Sequence, residues 1–328
     1  MNILMSGSGS GGHIYPCIST YNYFKEKNNV FIVIFKEIDK KIYDLNNIDY
    51  IYIEDSLSIK DKLKKIKKII INNNINITMT FGGKNSFFIN LVAKSLKKKI
   101  YIFEQNAIIG KANKFNYILA NKMFTNFKIN KKKEVNIGNP NTFSLKTKKI
   151  SLFSNNKITI LITLGSLGSS TVDKVIKQLI NELDDFNIIY VTGNNVNKHK
   201  TDNKNVRIFN YYNNLTELIN ISDIVISRAG ASTLAEIIKL KKPSIIIPSP
   251  YVTNNHQYIN AKVLEDSNAC ILLKEKDTNL FTLKSKIYSL STNKLLYDNI
   301  VRNLTKLENK GNFNDIERVI NNDYCQKS

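Results

Sequence analysis

Short apolar runs alternate with stretches of helical period from one end of the chain to the other. That is the pattern of parallel sheet whose strands are joined by crossover helices. In the first half the runs predict strands near Asn2 to Met5, Val30 to Phe35, Tyr50 to Ile53, Ile77 to Phe81, Ile100 to Phe103, Met123 to Thr125 and Val135 to Ile137. The stretch Asn139 to Asn156 is polar, holds Pro140 and lacks periodicity, which marks an interdomain linker. Beyond it the pattern restarts, with strands near Ile158 to Leu164, Ile188 to Thr192, Val206 to Phe209, Ile224 to Ile226, Ser244 to Ile247 and Ile271 to Leu273. Each half opens with a strand that runs into a glycine-rich turn and then a helix. The expectation is an α/β protein of two parallel-sheet domains, residues 1–145 and 146–328, with the last helix able to pack back on the first domain.

Composition agrees with this and narrows it. A length of 328 residues suits two cores of about 150 residues each. With 42% hydrophobic and 23% charged residues the chain has the balance of a folded domain rather than a disordered one. Cys17, Cys270 and Cys325 are scattered, without CxxC spacing or a histidine cluster, which points to a reducing compartment and no structural zinc. The start MNILMSG enters a strand directly, and no apolar run approaches the roughly 18 residues of a spanning helix. A cytoplasmic location is expected, at most against a membrane surface.

The net charge of +21 fits an anionic membrane, a nucleic acid or plain compositional drift, since lysine, asparagine and isoleucine crowd even loop stretches such as Asn72 to Asn76 and Lys131 to Lys133. No RNA-binding aromatic motif or basic recognition helix accompanies the charge, so no nucleic-acid partner is expected.

Candidate chemistry collects in the turns that follow strands. Gly7-Ser8-Gly9-Ser10-Gly11-Gly12-His13 leaves a strand and opens a helix, where glycine amides and the helix N-terminus can approach an anion or a sugar. Taken alone it satisfies GxGxxG, with Glu37 as a possible ribose acid, so a dinucleotide-binding reading stays open. His13 is placed to accept a proton from a sugar hydroxyl, or else to hold a loop. In the second half, Gly165-Ser166-Leu167-Gly168 repeats the strand-turn-helix arrangement, with Ser166 suited to a phosphate oxygen or to simple capping. The segment Ser227-Arg228-Ala229-Gly230-Ala231-Ser232-Thr233-Leu234-Ala235-Glu236 forms a loop rich in small residues that leaves room for a sugar, and Glu236, one turn beyond Ser232, can accept both ribose hydroxyl protons or else lie solvated on the surface. Gln257 and Asn260 share a helix face and can read sugar hydroxyls together. Phe103-Glu104-Gln105-Asn106 lies at a strand's carboxyl end, the side that faces ligands in open α/β sheets, though its three polar side chains suit loop packing equally well.

In this order the motifs GSGGHIYP, FGGKNSFF, FEQNAIIGKAN, IGNP, LGSLGS, SRAGASTLAE and NNHQYINA resemble the MurG family of UDP-N-acetylglucosamine-dependent transferases, glycosyltransferase family 28. They run from Gly9 to Ala261, about three quarters of the chain. The resemblance implies the GT-B fold, two Rossmann-like domains facing across a cleft, and transfer of N-acetylglucosamine from UDP-GlcNAc to the C4 hydroxyl of N-acetylmuramic acid on an undecaprenyl-diphosphate pentapeptide (lipid I). It also implies that Ser10, Gly11, Gly12 and Asn106 line the donor sugar and acceptor side, that Ser166 meets the diphosphate, and that Ala231, Ser232, Thr233, Leu234, Ala235 and Glu236 embrace the nucleotide sugar. Glu236 would bind ribose, Gln257 and Asn260 would read N-acetylglucosamine, and backbone near Tyr212 would contact uracil. Three motifs depart from the family pattern: Phe103 replaces the histidine of HEQN, the GGSQG turn reads LGSLG, and GNPVR reads Gly138-Asn139-Pro140-Asn141-Thr142, with Thr142 in place of the arginine.

The expected reaction is an inverting displacement with His13 as the base. No DxD carboxylate pair occurs, so neither metal nor cofactor is expected, and amides with the helix dipole would stabilise the leaving diphosphate. Leu63, Ile66, Ile69 and Ile70 form one stripe among lysines in the segment Lys60 to Asn73, which suits either docking on anionic lipid or packing on the sheet. The rival readings are another nucleotide-sugar enzyme of the same fold, such as a UDP-GlcNAc 2-epimerase or a diacylglycerol glucosyltransferase, an NAD-linked oxidoreductase, and a basic nucleic-acid-binding protein.

Overall fold

Alternate residues of the same strand feed two different cores in the first half of the chain. Ile3, Met5, Ile32, Ile34, Ile77, Met79, Tyr101 and Phe103 fill one side of a sheet, while Leu4, Val33, Ile100 and Ile102 fill the other. This is the period of two that a strand imposes, with both faces covered, as parallel sheets require. The computed structural model describes residues 1–148, 150–165, 170–193 and 201–325. Among them the chain divides into two units, Met1–Leu145 together with the segment from Asn309 onward, and Lys146–Glu308.

The first unit carries strands β1 (Asn2–Ser6), β2 (Asn29–Ile34), β3 (Ile51–Tyr52), β4 (Ile77–Thr80), β5 (Lys99–Glu104), β6 (Lys122–Thr125) and β7 (Glu134–Asn136). They pair in parallel in the order β3-β2-β1-β4-β5-β6-β7. The second unit carries β8 (Thr159–Thr163), β9 (Asn187–Val191), β10 (Val206–Phe209), β11 (Ile224–Ser227), β12 (Ser244–Ile246) and β13 (Ile271–Leu272). Its order is β10-β9-β8-β11-β12-β13. Strand order reverses direction beside β1 in one sheet and beside β8 in the other, and such switch points are where ligands enter. Both glycine-rich turns follow those two strands.

Helices α1 (Gly11–Phe24), α2 (Glu37–Leu45), α3 (Ile59–Asn72), α4 (Ser86–Ser95) and α5 (Lys111–Leu119) belong to the first unit. The second holds α6 (Ser170–Glu182), α7 (Leu215–Ile221), α8 (Ala231–Leu240), α9 (His256–Asp266), α10 (Leu280–Thr292) and α11 (Lys294–Leu307). The last helix, α12 (Phe313–Cys325), returns to the first unit, where Phe313, Ile316 and Ile320 enter the core beside Phe24. Tyr23 stacks on Phe313 at 4.7 Å between ring centroids, and Tyr101 donates to Asp323 at 3.1 Å. Helix α12 thus packs back on the first unit, and the second unit ends at Glu308.

Two further expectations change. The linker expected over residues 139–156 begins inside the first unit: Pro140–Thr142 form a short 3-10 helix that Asn139 caps by accepting from the Asn141 backbone at 3.1 Å. Pro140 and Thr142 are buried. The stripe on α3 faces the sheet, with Ile66 and Ile70 in the core and Leu63 and Ile69 packed against it. That face is not available for docking on lipid. No helix among the described residues is long and apolar enough to cross a membrane.

Candidate active site

The turn between β1 and α1 is held tightly to its own helix. A Cβ at Gly7 would stand 2.4 Å from the His13 carbonyl oxygen and 2.5 Å from Cys17 Cβ. Gly9 has φ of +100°, a region side chains rarely adopt. Ser10 is the N-cap of α1, its carbonyl accepting from the amides of His13 at 2.9 Å and Ile14 at 3.0 Å. Gly11 and Gly12 supply the first two amides of that helix, where the dipole favours negative charge. Burial pushes the Cys17 thiol up to about 12, so it is no nucleophile at neutral pH.

His13 points from the first turn of α1 into a cavity of about 300 Å³ lined by Ser8, Ser10, Lys36, Asp55, Gly82 and Asn85 among others. Its Nδ1 lies 3.2 Å from the Ser8 carbonyl oxygen and 3.3 Å from Ser10 Oγ. A carbonyl can only accept, so this contact favours the proton on Nδ1, which in a neutral imidazole puts the lone pair on Nε2. The other side of the ring rests on the turn after β4. A Cβ at Gly82, whose φ is +99°, would stand 2.7 Å from Nε2. Ser86 donates to the carbonyl of Gly83 at 2.6 Å and anchors that turn to α4. At the cavity's edge, Asp55 accepts from Asn85 at 3.0 Å and from the buried Lys62 at 2.9 Å. The Asn85 bond first and Lys62 second hold its carboxyl below the ordinary value.

Asn106 lies in a loop built on a buried carboxylate. Glu104, at the end of β5, accepts from the backbone of Asn106 at 3.0 Å and of Gly110 at 2.8 Å. It also accepts the side-chain amides of Asn106 at 3.2 Å and Asn113 at 3.0 Å. Asn116 continues the chain, donating to Asn113 Oδ1 at 3.3 Å and to Ser86 at 2.8 Å. The structure thus joins the Asn106 loop to the turn beneath His13 through buried polar side chains, a link that motif reading did not show.

In the second unit the loop after β11 leads directly into α8. Glu236 is buried on α8, and Ala231, Leu234 and Ala235 are buried with it, while Ser232 and Thr233 are half-buried. Asn260 is fully buried and donates to the Ala229 carbonyl at 3.2 Å. Gln257 is half-buried and accepts from the Ser249 amide at 2.9 Å. Asn260 therefore secures the loop before α8, and Gln257 secures the loop after β12. Tyr212 is half-buried with its ring edge-on to Phe209 at 5.2 Å. Ser166 falls outside the described residues.

Sequence reading missed the pair Arg228 and Glu275. Arg228 Nη2 meets Glu275 Oε2 at 2.7 Å, with both side chains 7% exposed, and Nη1 donates to the Ile247 carbonyl at 3.0 Å. One guanidinium so ties together the loops after β11, β12 and β13. Glu37, the acid required by a dinucleotide reading, lies at the exposed start of α2 in an ion pair with Lys40 at 2.7 Å. Thr142, at the position of the family's arginine, turns inward and donates to the Asn139 carbonyl at 2.9 Å.

Residues 3–125 match the glycosyltransferase family 28 N-terminal domain, and residues 159–313 match the family's C-terminal domain. Among curated relatives, the UDP-N-acetylglucosamine–N-acetylmuramyl-(pentapeptide) pyrophosphoryl-undecaprenol N-acetylglucosamine transferase of Caldicellulosiruptor saccharolyticus is 33% identical, the match covering 94% of each chain. The protein of the same name from Natranaerobius thermophilus is 32% identical over 85% of this chain and 88% of its own. In fold, the crystal structure of Acinetobacter baumannii MurG superposes with a TM-score of 0.79 at 18% identity, over 98% of this chain and 99% of that one.

Proposed function

The chain belongs to the family of UDP-N-acetylglucosamine–N-acetylmuramyl-(pentapeptide) pyrophosphoryl-undecaprenol N-acetylglucosamine transferases, with the GT-B fold, and we propose that His13 is the base of its transfer step. The acceptor's muramoyl C4 hydroxyl gives its proton to Nε2 as its oxygen attacks the anomeric carbon of UDP-GlcNAc. The C1 to phosphate-oxygen bond breaks, UDP leaves with the electron pair, and the new linkage is β-1,4. The observation that carries this reading is the contact between His13 Nδ1 and the Ser8 carbonyl, which directs the lone pair to the ring nitrogen on the opposite side.

The donor falls to the second unit in this reading. Glu236 accepts the ribose hydroxyls, backbone near Tyr212 meets uracil, and the small residues Ala231 to Thr233 leave space for the sugar. Gln257 reads N-acetylglucosamine, and Asn260 acts on it through Ala229. Ser166, with the amides around it, takes the diphosphate. Ser10, Gly11, Gly12 and Asn106 in the first unit line the donor sugar and the acceptor side.

A polyprenyl-linked acceptor requires a membrane surface. Leu91, Phe115 and Ile118 are exposed at 38%, 61% and 72% on the neighbouring helices α4 and α5, and Phe87 meets Phe115 at 6.1 Å between ring centroids. Exposed Lys94, Lys111 and Lys114 lie on the same two helices, and exposed Lys84 just precedes α4. This combination suits shallow, peripheral docking on the anionic cytoplasmic leaflet.

The test is product analysis with UDP-GlcNAc and lipid I. A lipid carrying a β-1,4 disaccharide, with UDP released in equal amount, supports the reading. Release of free N-acetylglucosamine, or of a 2-epimer, contradicts it.

A further inference from the structure

A buried carboxylate lies behind the glycine turn, on an element with no direct contact to the reacting groups. Asp39, in the first turn of α2, is 1% exposed. It accepts the Ser8 hydroxyl in a short hydrogen bond and the Gly9 amide at 3.1 Å. One turn further along α2, the buried hydroxyl of Tyr43 donates to the Gly7 carbonyl at 2.6 Å. Helix α2 therefore grips residues 7, 8 and 9 in succession. Among the described residues no ion pair reaches Asp39, and the partners of its oxygens are these donors, without which a buried carboxyl group would be costly.

We infer that Asp39 is a positioning residue for His13: by fixing Ser8 and Gly9 from behind, it aims the Ser8 carbonyl at Nδ1 and so sets the ring's tautomer. The geometry runs in one line, from the Asp39 carboxylate to the Ser8 hydroxyl and amide unit, and from the Ser8 carbonyl to His13 at 3.2 Å. An asparagine here would keep the shape but leave one acceptor oxygen for two donors, with its NH2 facing one of them. The Ser8 carbonyl would then lose its fixed direction while the donor site in the other unit stays intact. This inference rests on His13 being the base.

The experiment compares Asp39→Asn, His13→Gln and the double variant in the UDP-GlcNAc transfer assay. Asp39→Asn should lower kcat by about 10- to 100-fold with the KM for UDP-GlcNAc within about twofold of wild type, and it should add no loss in the His13→Gln background. Losses that multiply in the double variant, wild-type kcat in Asp39→Asn, or a raised donor KM at unchanged kcat overturn the inference. Wild-type turnover in His13→Gln alone overturns both the inference and its premise, and that result is read from the single variant. Should Asp39→Asn fail to fold, Ser8→Ala serves in its place. Nitrogen-15 shifts should then show the ring as a mixture of tautomers, where the wild type shows Nδ1–H alone. An unchanged pure Nδ1–H ring in Ser8→Ala would overturn the assignment.

Discussion

The ring of His13 rests on Gly82 so closely that a Cβ built there would stand 2.7 Å from Nε2. The φ of +99° at Gly82 adds backbone strain for any other residue. Gly82→Ala should therefore push the imidazole off the Ser8 carbonyl and cost roughly 1–3 kcal/mol of stability. Denaturant unfolding and steady-state rates should report both losses together, with kcat falling more than the donor KM rises.

Glu104 organises the loop of Asn106 by accepting two backbone amides and two side-chain amides. Glu104→Gln keeps the shape, removes the charge and turns an NH2 toward those donors. A destabilisation of roughly 1–3 kcal/mol is expected from the unsatisfied buried groups. The KM for the lipid acceptor should rise while the affinity for UDP-GlcNAc, measured by calorimetry, stays close to wild type.

Arg228 and Glu275 form a buried ion pair that joins three strand-end loops of the second unit. Arg228→Met strands the Glu275 carboxylate and should cost about 3–5 kcal/mol, whereas Arg228→Met with Glu275→Leu should recover much of that loss. The donor KM should stay raised in the double variant, because Ile247 would still lack its guanidinium partner. Thermal unfolding paired with donor titration separates the two effects.

Docking through α4 and α5 predicts that Phe115→Ser with Ile118→Ser weakens retention on vesicles containing anionic phospholipid. Turnover on a short-chain, water-soluble acceptor should not change. Vesicle sedimentation checks this, and retention equal to wild type would place the docking surface elsewhere.

The strands were legible because a parallel sheet covered on both faces makes each strand an apolar run, as in Ile224-Val225-Ile226. Both turns that follow β1 and β8 could be read from their glycines. The stripe on α3 was ambiguous because the same spacing serves a sheet and a lipid surface; only the burial of Ile66 and Ile70 decides between them. Asp39 is not legible in the sequence, because a carboxylate in the first turn of a helix reads as an ordinary dipole partner, just as Glu37 does two residues earlier. The hint lay in its spacing from Tyr43, four residues on, which puts both on one face of α2. Arg228 and Glu275 are far apart in sequence, and nothing local announces their pairing. Asn260 carried a family role in the sequence, while its buried bond to Ala229 could be seen only in three dimensions.

The most direct measurement compares His13→Ala with wild type in transfer from UDP-GlcNAc to lipid I, following both kcat and the donor KM. A base at this position predicts that kcat falls by about 100-fold or more while the donor KM barely moves. A variant that turns over at the wild-type rate would contradict the account.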